Sequence, residues 1–242
     1  MLKITDGNSK LKKTSAKVKA HLAKHGSLNG FVPRPKTYKV VSFNLPAGGY
    51  EIDGKSYITC PGAGTCLNMC YARQGTFLFK GSKRVRIENH KALLFIYKTQ
   101  GFDALVDKLD ECVKTVTRTT AIIRLHDSGD FFKKWYAEAW VAVMARHPGI
   151  LFYAYTKSFP MFKDITIPDN FRLTYSYGGK FDIQIDGPNS KIFATLDDRI
   201  AAGYTDGNES DMPAILGEYS IGLVYHGNKN LTEEQVGVLR KE

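Results

Sequence analysis

Three of the chain's four cysteines, Cys60, Cys66 and Cys70, fall within eleven residues in the segment TCPGAGTCLNMCYARQGTF. Thiolates held that close repel one another, so a bound metal centre is the natural reason to gather them. Pro61, Gly62 and Gly64 give a loop able to fold around a central object, with amides free to hydrogen-bond sulfur. The spacing, C-x5-C then C-x3-C, lacks the second cysteine pair on which structural zinc sites rely. Three thiolates with one open coordination position suit a cubane iron–sulfur cluster, the fourth iron being left for substrate, cofactor or another protein ligand. Zinc and a metal-free loop stay open as alternatives, whereas a disulfide does not suit a cytoplasmic chain. Cys112 follows Leu105 and Leu109 at helical spacing and reads as a buried core thiol sooner than as a fourth ligand.

A second set of candidates lies where strands are expected to end. His126 and Asp127 close the run TAIIRL, the place where barrel enzymes carry catalytic groups, and a histidine there can act as acid, base or ligand. Strict alternation puts Arg124 and His126 on one strand face, and Tyr155 and Lys157 on the matching face of ILFYAYTK. Ser128 and Asp130 suit the start of a helix as N-caps, and they also count as candidate substrate ligands with Arg124, Tyr155 and Lys157. Arg73 opens a basic cluster with Lys80, Lys83, Arg84, Arg86 and Lys91, opposed by Glu88 alone. Its place beside the cysteines suggests an anionic ligand; a solvated helix face is the plainer reading. Neither a nucleotide P-loop nor a Ser/His/Asp hydrolase signature is present.

The elements that must position these residues alternate. Strands are expected at Tyr38–Leu45, Thr120–Leu125, Ile150–Thr156, Phe171–Ser176, Lys191–Thr195 and Tyr219–Tyr225. Helices are expected near Lys83–Lys98, Phe102–Val116 and Phe131–Arg146, the second with Phe102, Leu105, Val106, Leu109, Val113 and Val116 on one face. That alternation predicts parallel βαβ units with the active edge at the strands' C-terminal ends. Strong helices thin out after Pro160, so the fold expected is an incomplete or irregular (β/α) TIM-like barrel. Its polar strand faces would line a ligand cavity.

The 242 residues suffice for one large domain, and 43% hydrophobic with 24% charged residues is ordinary for a globular chain. No run is long and apolar enough for a membrane span, and the start lacks the apolar core of a secretory signal, which points to the cytoplasm. The net charge of +10 is uneven: Met1 to Lys39 holds ten Lys or Arg against Asp6 alone. The excess is therefore assigned to a basic arm and linker over residues 1–37, with a short helix near Ser15–Lys24 and a linker over Gly26–Pro35. Residues 38–242 form the α/β domain. The arm reads equally as a polyanion-binding segment or as a solubilising tail.

The segments CPGAGTCLNMCYA, RLHDSGDFF and FYAYTKS together resemble the phage family called gene product 88, over roughly Ser42 to Gly179. The resemblance implies a viral origin, hence the host cytoplasm. More distantly the layout is similar to the radical SAM enzymes, which hold a [4Fe–4S] cluster on a cysteine loop after the first strand of a partial barrel. It would make Cys60, Cys66 and Cys70 the cluster ligands. It would also set Asp127–Asp130 where a Gly-Gly-Glu segment contacts the methionine moiety of S-adenosylmethionine. The usual loop is C-x3-C-x2-C, no Gly-Gly-Glu is present, and Met69 replaces the aromatic before the third cysteine. The cluster therefore carries over more firmly than S-adenosylmethionine. The expected function is an iron–sulfur protein, an enzyme on an anionic or nucleic-acid-related substrate. The alternatives are a redox or electron-transfer cluster protein and a nucleic-acid-binding module with a structural metal.

Overall fold

The computed structural model describes residues 1–34, 38–118 and 120–225. The chain begins with β1 (Ile4–Asp6) and α1 (Ser9–His25), then β2 (Lys39–Phe43) and a hairpin of β3 (Gly49–Ile52) and β4 (Lys55–Ile58). The cysteine loop follows as three short 3-10 turns between Thr65 and Leu78. Then come α2 (Lys80–Lys114), β5 (Thr120–Leu125), α3 (Lys134–Arg146), β6 (Leu151–Thr156) and β7 (Phe171–Ser176). The last elements are β8 (Asn189–Phe193), α4 (Leu196–Ala201), β9 (Thr205–Asp206), α5 (Met212–Leu216) and β10 (Ser220–Val224).

Among the described residues, eight strands form one sheet in the order β1-β2-β5-β6-β7-β8-β10-β9, and β3 pairs only with β4. Every pairing in the large sheet is parallel except that of β1 with β2. From β2 to β8 the order follows the chain without reversal, as right-handed crossovers on one side produce. The sheet is open among the described residues, with β1 and β9 at its edges. The mixed α/β class with a mostly parallel sheet is thus as expected, but no barrel closes.

Alternation along the strands explains the two cores. Val41, Phe43, Ile123, Leu125, Phe152 and Ala154 face α2 and α3 and pack with Trp140, Tyr136 and Leu109. Val40, Ile122, Leu151 and Tyr153 face the other way, onto Leu11, Val18 and Leu22 of α1 and Met212, Ala214 and Ile215 around α5. The long helix α2 breaks at Gly101, whose backbone (φ 86°) only glycine adopts freely, and this separates the two helices expected there.

The N-terminal segment is not a detached arm, which corrects the expected division at residue 37. β1 extends the sheet, and α1 covers it with Leu11, Thr14 and Val18 fully buried. Asn8 caps the helix by accepting from the Leu11 amide at 3.1 Å, and Gly26 ends it in the left-handed region. Leu28 is also fully buried, so the stretch read as a linker contributes to the core. The charge excess misled the sequence reading because lysines on one face of a helix say nothing of the face beneath. The expected end of the linker, Pro35, and the boundary at 37 lie outside the described residues. Among those residues, no helix is long and apolar enough to cross a membrane.

If α1 is integral, Leu11→Ala should lower the unfolding free energy by about 2–5 kcal/mol, the usual range for a buried leucine. Urea titration would measure it; a change below about 0.5 kcal/mol would restore the arm as an appendage.

Candidate metal centre and its buried charge network

The cysteine loop lies across the C-terminal ends of four parallel strands. Behind β2, the Leu45 amide donates to the Ser128 carbonyl (2.9 Å), and the Asp130 amide donates to the Thr59 carbonyl (3.0 Å). Beyond β6, Gly62 N–H meets Ser158 Oγ at 3.3 Å, and the Lys180 amide donates to the Gly62 carbonyl (2.9 Å). Beyond β7, the Gly64 and Cys66 amides both donate to the Gly178 carbonyl, at 3.2 and 3.1 Å. A Cβ on Gly62 would collide with the Lys157 carbonyl, so this close crossing requires glycine.

The loop brings Cys60, Cys66 and Cys70 within reach of one another's charge. All three are free thiols, half-buried. Burial is the largest influence on Cys60 and pushes its thiol up; Asp130 and the other two cysteines add to this, against a Gly48 amide that donates to Sγ at 3.2 Å. Burial likewise raises Cys66, opposed first by the nearby Lys157 ammonium and then by the Gly64 amide. Among the described residues, no three His, Cys, Asp or Glu side chains are arranged to hold a metal ion. The chemistry of the donor set still fits a multinuclear cluster: soft sulfur ligands, amide donors toward sulfur, and a neighbouring lysine to balance charge. A multi-iron cluster also spreads its thiolates wider than a single ion with metal–sulfur bonds of about 2.3 Å. Cys112 is buried in the core beside Leu109, and burial raises it to about 11.

The remaining candidates separate into three places. Arg124 and Asp127 meet in a buried network. Arg124 Nη1 lies 2.8 Å from Asp211 Oδ2 and 3.1 Å from Asp127 Oδ1. Tyr71 Oη donates to the Asp127 carbonyl (2.5 Å), and Tyr153 Oη to Asp211 (2.8 Å). From α1, Lys10 pairs with Asp211 (2.8 Å) and Asn8 donates to Asp127 (2.9 Å). Tyr155 stands beside this network, its ring 5.4 Å from the Arg124 guanidinium; its Oη and Arg124 Nε are buried without partners among the described residues. Along β5 and β6, the strand face expected to line an open cavity is therefore covered by α1, α5 and this charge network. That is a correction to the cavity reading.

Asp130, Lys157 and Ser128 belong to the joint under the cysteine loop. Asp130 is fully occupied: Oδ1 accepts from Thr156 Oγ1 (2.6 Å) and the Phe131 amide (2.7 Å). Its Oδ2 accepts from Ser158 Oγ and the Lys157 amide, both at 3.0 Å. No lone pair is spare for a substrate. Lys157 Nζ reaches Ser176 Oγ (2.6 Å) and the Tyr177 carbonyl (2.5 Å), with one N–H left over. Ser128 Oγ donates to the Leu45 carbonyl (2.8 Å) and accepts from the buried Arg86 (3.2 Å). Arg73 is exposed and folds back on the Leu67 carbonyl (3.2 Å).

His126 goes elsewhere. Its φ of 66° breaks the strand alternation, so the ring turns from the Arg124 face into the core against Phe131 and Tyr136. Nε2 is 2.9 Å from Tyr136 Oη, and burial lowers its pKa to about 3. An imidazole kept neutral in a core is not placed for catalysis at the loop, which corrects that expectation. Sequence reasoning missed Tyr71, Asp211, Lys10 and Asn8. Asn8 alone left a local signal, a capping residue ahead of a periodic run.

The pH response follows from His126. Its folded pKa lies below the ordinary 6.5, so the unfolded chain binds the extra proton and stability falls as pH drops from about 6.5 toward 3. His90, lowered to about 4 by burial, acts the same way. His126→Phe should flatten the urea-measured stability between pH 6.5 and 4; an unaltered slope would place the ring in water. Asp211→Asn should cost about 3–5 kcal/mol by leaving Arg124 short of its counter-charge.

Residues 2–231 match the family model described as Gene product 88. The match therefore includes the N-terminal segment, which the motif resemblance had left out. The chain is 31% identical over 119 residues to the "Gene 88 protein" of Mycobacterium phage L5, covering 48% of this chain and 47% of that protein. It is 29% identical over 119 residues to the "Gene 88 protein" of Mycobacterium phage D29, with the same coverage. The aligned stretch spans about half the length of these curated relatives. No solved structure matches.

Proposed function

This chain belongs to the gene product 88 family, and from that premise we propose that it is a phage iron–sulfur protein carrying a [4Fe–4S] cluster on Cys60, Cys66 and Cys70. One observation carries the reading. A glycine-bearing loop with three free, half-buried thiols is strapped over the C-terminal ends of β2, β5, β6 and β7, the edge where parallel α/β proteins hold their ligands. The frame adopted in this reading is a radical-SAM-like partial barrel, with which a strand order that runs without reversal from β2 to β8 is compatible. When bound, the cluster would supply electron transfer and one open iron position. The protein's part is to donate the Gly48 amide to the Cys60 sulfur and to set the Lys157 charge against Cys66. The spare N–H of Lys157 gives an anionic substrate a partner next to the cluster, and an enzyme using such a substrate is the reading adopted. S-adenosylmethionine use finds no support at Asp127 or Asp130, whose carboxylates are already engaged.

A second reading draws on the filled strand face. With Arg124, Tyr153 and Asp211 packed under α1, a cluster at the loop could pass electrons without any substrate beneath it. Turnover assays on the reduced protein separate the two.

Protein purified without air should be brown, contain about four irons per chain, and give an electron paramagnetic signal on reduction. Cys66→Ala should lose most of that iron, whereas Cys112→Ala should keep it. A colourless protein with one zinc, or full iron in the Cys66 variant, would overturn the assignment.

A further inference from the structure

Helix α1 has 17 residues, and its sequence SKLKKTSAKVKAHLAKH holds six lysines and no acid. Lys10 is taken by Asp211 and Lys17 by Glu209. Lys12, Lys13, Lys19 and Lys24 are exposed and have no ion-pair partner among the described residues. At about 100° per residue, Lys12 and Lys19 lie along one margin of the exposed face, and Lys13, Lys17 and Lys24 along the other. Ala16, Ala20 and Ala23, all exposed, run between them. The surface is a shallow alanine-floored trough between two rows of ammonium groups.

We propose that this face of α1 is a docking surface for the phosphate backbone of a nucleic-acid duplex, read without sequence preference. Charge complementarity argues for it: unpaired like charges along one helix repel, and a polyanion is the partner that relieves this through counterion release. From Lys12 to Lys24 the trough is about 18 Å long, roughly half a turn of duplex. Its small, apolar floor offers no aromatic ring on which bases of a single strand would stack. A membrane surface fits less well. The helix's apolar face, Leu11, Val18 and Leu22, is committed to the sheet and cannot enter lipid. The fold also keeps the lysines in place: Asn8 and Gly26 cap the helix, and Lys10 is pinned into the buried network.

The test uses the full chain and a duplex of about 30 base pairs of arbitrary sequence, with affinity followed by fluorescence anisotropy against salt. Four phosphate contacts predict roughly a 100-fold loss of affinity between about 50 and 200 mM salt. Lys12→Gln, Lys13→Gln, Lys19→Gln and Lys24→Gln together should abolish most of that dependence at an unchanged melting temperature. If the quadruple variant folds poorly, the pairs Lys12/Lys13 and Lys19/Lys24 should each remove about half of it. Substituting Lys98, Lys133 and Lys163 on other surfaces should leave it intact. The proposal fails if the wild type ignores the duplex at low salt, or if the variants keep the full salt slope. It also fails if a single strand or vesicles of anionic phospholipid bind more tightly than the duplex. The readout is duplex affinity, so its outcome stays distinguishable from the iron content that tests the cluster.

Discussion

A carboxylate removed from water must find fixed donors, and Asp130 finds four of them on two strand ends. Burial is the largest influence and raises its pKa, while the four hydrogen bonds, all donated to the carboxylate, work to lower it. Through Phe131, Thr156, Lys157 and Ser158 it locks the exit of β5 to the exit of β6. Its own amide then holds Thr59, the residue before Cys60. The cysteine loop therefore rests on a rigid joint. The same contacts anchor the Lys157 backbone, and Ser176 Oγ with the Tyr177 carbonyl holds its ammonium where its charge acts on Cys66.

The opposite face of the sheet follows a different logic. Arg124 is buried on a central strand and could not stay there uncompensated. Asp211 and Asp127 supply the counter-charge, helped by Tyr71 and Tyr153, and Lys10 balances the second carboxylate oxygen. The pKa directions agree with this. Burial would raise Asp211, yet Arg124 and Lys10 hold it low. One consequence is that the start of α1 and the residue after Cys70 meet at the same aspartate, Asp127. The N-terminal helix and the cysteine loop are thus mechanically joined, which a detached arm would not permit.

Much of the scaffold was readable in advance, and the failures have identifiable causes. Ile123 and Leu125 against Ile122 and Arg124 followed from alternation, and the Gly101 break separated two helices as their periodicity suggested. His126 defeated the same alternation because a single residue in the left-handed region reverses which face the next side chain takes. Asp130 was read as a cap or a ligand because its sequence neighbours suit a helix start. Its real partners, Thr156 and Ser158, lie on another strand.

By itself the sequence determined the class of fold and the gathering of three thiols in one glycine-bearing loop. These are local properties, set by side-chain period, spacing and backbone freedom within a few residues. Only the tertiary structure decided that α1 is part of the core, that Arg124 is neutralised from a residue 87 positions away, and that the strand face is filled instead of hollow. Those outcomes depend on which buried charges find each other across the sheet, and pairing at such separations leaves no mark in the run of residues around either partner.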